Sequence, residues 1–172
     1  MLSIAPLLLA AMFFAPPLPF EPYTEAAVLE APTRHIRTKD QSVRRLLRRG
    51  YRQSATFASL VTRLQRSDVI VYVEDVPRLP GALEGRMMML PHAHGFRYLR
   101  IQLALRGTPE EGIALLAHEL QHAVEVAEAA DVTDSATLQR LYERIGVRSG
   151  PMVFDTIAAQ ETGRVVRREL AS

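Results

Sequence analysis

Apolar positions between residues 40 and 65 recur at helical spacing: Val43, Leu46 and Leu47, then Phe57, Leu60, Val61 and Leu64. The pattern predicts two helices, about 40–49 and 54–65, separated by Gly50, with Ser54 as the N-cap of the second. The period then changes. Asp68-Val69-Ile70-Val71-Tyr72-Val73-Glu74 is β-branched and aromatic and predicts a strand closed by Pro77. Arg86 to Leu90 predicts a second strand, and Phe96 to Leu103 alternates apolar with polar as a half-buried third. Pro91-His92-Ala93-His94-Gly95 joins the last two as a hairpin, so the sheet is expected to be small and antiparallel.

The strongest helix signal follows. Thr108 as N-cap, Pro109 at the first helical position and Glu111 three residues on form a capping-box start, and no proline interrupts the chain from there to Ala129. Leu138 to Arg144 predicts a charged helix closed by Gly146, and a last helix is expected over about 152–170. The fold class is therefore α+β: N-terminal helices, a small antiparallel sheet, a long helix, then C-terminal helices.

Ahead of these elements, Leu2 to Phe20 carries no charge and is densest at Leu7–Ala15. Nine apolar residues are too few to span a bilayer, which takes about 20. Followed by Pro16, Pro17 and Pro19, residues 1–20 read as the apolar region of an export signal, which implies an exported protein. No Lys or Arg precedes the run, so the stretch also suits weak membrane association. Residues 21–33 read as a proline-rich linker, and 34–172 as one folded domain.

Composition narrows the chemistry. With 172 residues, 48% of them apolar, the chain can build a real core. It has no cysteine, which removes disulfide scaffolds, thiolate metal sites and cysteine nucleophiles together. Lys+Arg of 21 against Asp+Glu of 19 argues against a dedicated nucleic-acid binder. Arg34 to Arg52 holds seven arginines and Lys39 against one acid, Asp40, with Tyr51 alone of Phe, Tyr and Trp among them. A solvated helix face accounts for that run better than a docking patch.

Inside the long helix stands His118-Glu119-Leu120-Gln121-His122, the HExxH pattern. Residues four apart lie one above the other on a helix face, so two imidazoles can reach one zinc ion at about 2.0–2.1 Å each. Glu119, one step round, is placed to touch a metal-bound water, whose pKa zinc lowers to about 7. From the frequencies of His and Glu in this chain, chance would supply on the order of 0.01 such matches. Leu116 to Val124 resembles the active-site helix of the zincin metallopeptidases, and the order of elements is similar to their minimal core. The resemblance implies Zn2+ as cofactor, His118 and His122 as ligands, Glu119 as general base and a peptide or protein as substrate. It also implies that the strand near Tyr98–Leu103 borders the cleft and pairs with extended substrate.

The third ligand is open. The metzincin pattern would place a helix-breaking glycine and a ligand at the positions of Glu125 and Glu128. Without the glycine, Glu128 rises about 15 Å along the axis from His118, out of reach. Glu125 is on the correct face but a turn too high, which suits a partner holding a histidine. The gluzincin pattern takes a carboxylate from a later helix, here Glu143, Asp155 or Glu161. Asp155 is preferred, because Asp155, Ala158, Ala159 and Thr162 would form a small-residue face close to the metal helix; Glu161 comes second. His92 and His94 are read as loop residues, and Tyr98 and Tyr142 as packing tyrosines with hydroxyls able to serve an oxyanion. A non-catalytic metal-binding or interaction module that keeps the HExxH helix fits the same residues.

Overall fold

The computed structural model describes residues 35–81, 83–150 and 153–172. The segments read as an export signal and a linker, 1–33, lie outside the described residues. Among those described, no helix is long and apolar enough to cross a membrane.

The architecture is α+β. In chain order it runs β1 (Ile36–Arg37), α1 (Gln41–Gln53), α2 (Ala55–Gln65), β2 (Val69–Asp75), β3 (Gly85–Ala93), β4 (Phe96–Leu103), α3 (Pro109–Glu128), α4 (Ser135–Ile145), β5 (Val147–Gly150), β6 (Val153–Asp155) and α5 (Ile157–Leu170). Four strands form one sheet in the order β1-β2-β4-β3, and β5 and β6 form a separate antiparallel pair.

The sheet is mixed, not antiparallel as expected. β2 runs parallel to both β1 and β4, and only β3 is antiparallel to β4. The sign of this is in β2 itself, where Val69, Ile70 and Val71 are buried in succession. A continuous apolar run belongs to a strand covered on both faces, the usual setting of parallel pairing. In β4, by contrast, Leu99, Ile101 and Leu103 face the helices, while Tyr98, Arg100 and Gln102 lie on the opposite face. There Tyr98 stacks on Tyr72 and Arg86 bonds Gln102. Being paired on both sides, β4 has no free edge to offer a substrate; among the described residues the edge strand on this side is β3.

The core lies between the sheet and helices α1, α2 and α3, around Phe57, Leu64, Leu99, Ile101, Ile113, Leu116 and Leu120. Gly50 does not mark a break between helices. Helix α1 runs through it to Gln53, and Ser54 caps α2 by accepting from Phe57 N at 3.0 Å. Gly50 is buried in a space with no room for a side chain: a methyl there would sit 2.9 Å from both Ile113 and Phe57. In the basic segment Arg49 pairs with Glu110 at the start of the long helix, and Arg44 donates to the carbonyls of Thr38 and Lys39.

Helix α3 is fixed at both ends. The Thr108–Glu111 capping box forms as its residues predict. At the other end Arg97, buried on β4, donates to the carbonyls of Val126, Ala127, Ala129 and Val132 while gripping Asp68 through two nitrogens. A cation at a helix C-terminus satisfies the orphan carbonyls and opposes the dipole. Helix α5 then lies against α3 at short range: a Cβ on Gly163 would be 3.3 Å from the Ala114 carbonyl and 3.6 Å from His118 Cβ.

Candidate metal centre

On α3, His118 and His122 fall on the same face with ring centroids 5.0 Å apart. The third group arrives from β6. Asp155 Oδ1 lies 3.2 Å from His118 Nε2 and 3.5 Å from His122 Nε2. These three residues offer one ligand atom each, all within 4.8 Å of one another, and among the described residues they are the group able to hold a metal ion.

Asp155 is not on the last helix. That helix is expected from 152 but starts at Ile157, and Asp155 instead ends β6, paired with Val147 of β5, a strand pair that helical periodicity overlooks. A signal for it exists: Ser149-Gly150-Pro151 has turn composition between Val147-Arg148 and Val153-Phe154. Thr156 caps α5 by accepting from Ala159 N, so Asp155 sits one residue ahead of the cap. Of the expected small-residue face, Ala159 is buried against α3 and Ala158 is exposed.

Each ring is held from behind. His122 Nδ1 meets Glu125 Oε2 at 2.9 Å, which turns Nε2 toward Asp155. Glu125 Oε1 in turn accepts from the Thr156 hydroxyl at 2.6 Å. One carboxylate thus ties α3 to the cap that follows Asp155, the role its height on the helix implied. His118 is backed by α5, where a Cβ on Gly163 would lie 3.6 Å from its own Cβ. Asp155 accepts from Thr156 N through Oδ1 and from Gln160 through Oδ2.

These contacts set the charges. Burial, with the neighbouring His122, lowers the pKa of His118 and keeps it neutral. His122 moves the other way: burial opposes its charge, but the bonds to Asp155 and Glu125 prevail and raise it to about 9. Asp155 is held down at about 2, its bond to His122 outweighing burial. Glu125 is lowered by His122 and Thr156 against burial. Glu119 is almost wholly enclosed, and burial pushes it up to about 7.

The centre opens into a cleft of about 520 Å³. Glu119, His118, His122 and Asp155 share its wall with Gly85 and Met87 of β3, Leu138 and Tyr142 of α4, and Phe154 of β6. The Tyr142 hydroxyl donates to the His122 carbonyl at 3.2 Å and is buried, with its pKa raised by that burial. Tyr98 is on the far face of the sheet.

The remaining predicted candidates lie elsewhere. Glu161 is on the exposed side of α5, paired with Arg164 and Arg168. Glu143 accepts from Gln139, and Glu128 pairs with Arg63. Both histidines read as loop residues are exposed, but His92 lies within β3, which runs on to Ala93, and only His94 is in the β3–β4 turn. No model of a known protein family, no curated protein and no solved structure matches the chain.

Proposed function

We propose that the protein is a zinc-dependent peptide hydrolase of zincin type, exported and acting on a peptide or protein. The observation that carries this reading is the convergence of His118 Nε2, His122 Nε2 and Asp155 Oδ1 beside a buried carboxylate, in an open cleft. The donor set suits zinc. Bonds of about 2.0–2.1 Å in a tetrahedron put donors about 3.3 Å apart, and Asp155 stands 3.2 and 3.5 Å from its two neighbours. Three protein donors with space beside them is the pattern of a catalytic centre, whereas structural sites close with four. Two neutral imidazoles and one carboxylate would leave the centre a net positive charge.

Bound there, zinc would supply a Lewis acid that acidifies water and polarises a carbonyl. The chain's own groups do the rest. Glu119, buried beside the three donors, is placed to accept a proton from the attacking water and return it to the leaving amine as the C–N bond breaks. Asp155 and His122 stay put because Thr156, Gln160 and Glu125 hold them, and His118 is packed under α5. The free edge of β3 runs past Glu119, so an extended peptide would add to the sheet there by main-chain hydrogen bonds. Apolar Met87, Leu138 and Phe154 receive a side chain.

The test is a peptide-library hydrolysis screen with wild type and Glu119→Gln, both loaded with zinc. The expected result is cleavage by wild type and a loss of about 10²–10⁴-fold in Glu119→Gln, with zinc retained. Equal turnover by the two proteins would refute the assignment.

A further inference from the structure

β3 begins at Gly85, where the strand passes the motif helix. A Cβ on Gly85 would fall 2.3 Å from Glu119 Oε1, 2.8 Å from its Cδ and 3.0 Å from its Cγ. Those separations are far inside van der Waals contact, so any side chain at this position would displace the carboxylate or the strand. Conformation does not demand a glycine here. The glycines with positive φ among the described residues are Gly81 and Gly95, and Gly85 is paired as ordinary strand with Leu103. A glycine inside a strand that needs no special φ marks a place where another group approaches the backbone.

The strand cannot easily step back. Ala104 N donates to the Glu84 carbonyl at 2.7 Å, and Met87 and Met89 are packed on the core. The carboxylate, at the end of a side chain with rotatable bonds, is the part free to move. Resting on the reading of Glu119 as the proton acceptor, we propose that Gly85 is a positioning residue, whose missing side chain lets the Glu119 carboxylate lie against β3 and face the His118–His122–Asp155 centre. In this role Gly85 acts through Glu119 and not on the reacting atoms. It fixes where the base stands relative to both, and a displacement of about 1 Å in a catalytic group costs on the order of 10² in rate.

The experiment compares wild type with Gly85→Ala for zinc content, urea midpoint, KM and kcat on one peptide found in the library screen. Expected are one zinc per chain, an unchanged midpoint, KM within about twofold and kcat lower by about 10²-fold. Glu119→Asp provides the second arm. Its side chain is one methylene shorter, which removes the 2.3 Å contact at Oε1 and leaves the milder ones at the Cδ and Cγ positions, so Gly85→Ala/Glu119→Asp is expected to be no slower than Gly85→Ala alone. Turnover of Gly85→Ala close to wild type overturns the proposal. So does loss of zinc together with turnover, which would make Gly85 a fold residue. If wild type cleaves nothing, the hydrolase reading fails, and a crystal structure of Gly85→Ala decides this point by itself. A carboxylate swung away from β3 upholds the positioning role; a carboxylate in place beside a shifted strand overturns it.

Discussion

His122 carries the charge that a metal must displace. Raised to about 9 by Asp155 and Glu125, it holds a proton at neutral pH in the metal-free chain, yet an imidazole ligates only when neutral. Zinc uptake at pH 7 should therefore release at least one proton, with Glu119 adding part of another, measured by calorimetry in buffers of different ionisation enthalpy. Uptake with no proton released would show that His122 is not a ligand. Glu119 makes the opposite kind of statement about stability. Its folded pKa, about 7, is above its ordinary 4.5, so the folded chain binds the extra proton and loses stability as pH rises between those values. In the metal-free protein Glu119→Gln should be more stable than wild type at pH 8 by roughly 3 kcal/mol, with the gap closing near pH 4. Urea denaturation at the two pH values checks this. His118, Glu119 and His122 are legible from the chain because their geometry is local: a helix alone fixes an i, i+4 pair. Asp155 is reached from its neighbours' size, but on the wrong element. Its true position depends on a strand pair that sets Val147 against Asp155, and helical periodicity carries no trace of that pairing.

The long helix α3 depends on its ends as well as its buried stripe. Thr108→Ala removes one side of the capping box and should cost about 1 kcal/mol without changing zinc content. Arg97 matters more. Replacing it with Met would take the buried donor from the carbonyls of Val126, Ala127, Ala129 and Val132, of which Val126 and Ala129 keep a backbone donor, and would release Asp68, a loss of about 3 kcal/mol in urea denaturation. The N-terminal cap is plain in the sequence because its motif spans four residues. The C-terminal cap is not, because Arg97 reaches the helix from a strand and reads only as a polar position in an alternating run. The sheet shows the same division. The positions of β2 and β4 follow the residue pattern closely, β3 runs past it to Ala93, and β1, β5 and β6 escape it, while the parallel pairing of β2 with β4 is a long-range choice that each strand makes with a partner some 30 residues away.

At the scale of the molecule, the elements that bear on the centre meet in one place: α3 with two imidazoles and Glu119, β6 with the carboxylate, α5 with its cap, and β3 and α4 with the cleft wall. Glu125 and Thr156 are the join between these elements. Glu125→Gln or Thr156→Val should lower zinc affinity by about 10–100-fold in competition with a chelator, leaving the fold intact. An unchanged affinity would mean that α3 and β6 are held together by packing alone. The central claim is that one zinc is bound by His118, His122 and Asp155. It is tested most directly by elemental analysis of the full chain after dialysis against buffered zinc, as wild type, His118→Ala and Asp155→Ala. One zinc per chain is expected in wild type and none in either variant. A folded wild type without zinc, or an Asp155→Ala protein that keeps it as tightly as wild type, would contradict the claim.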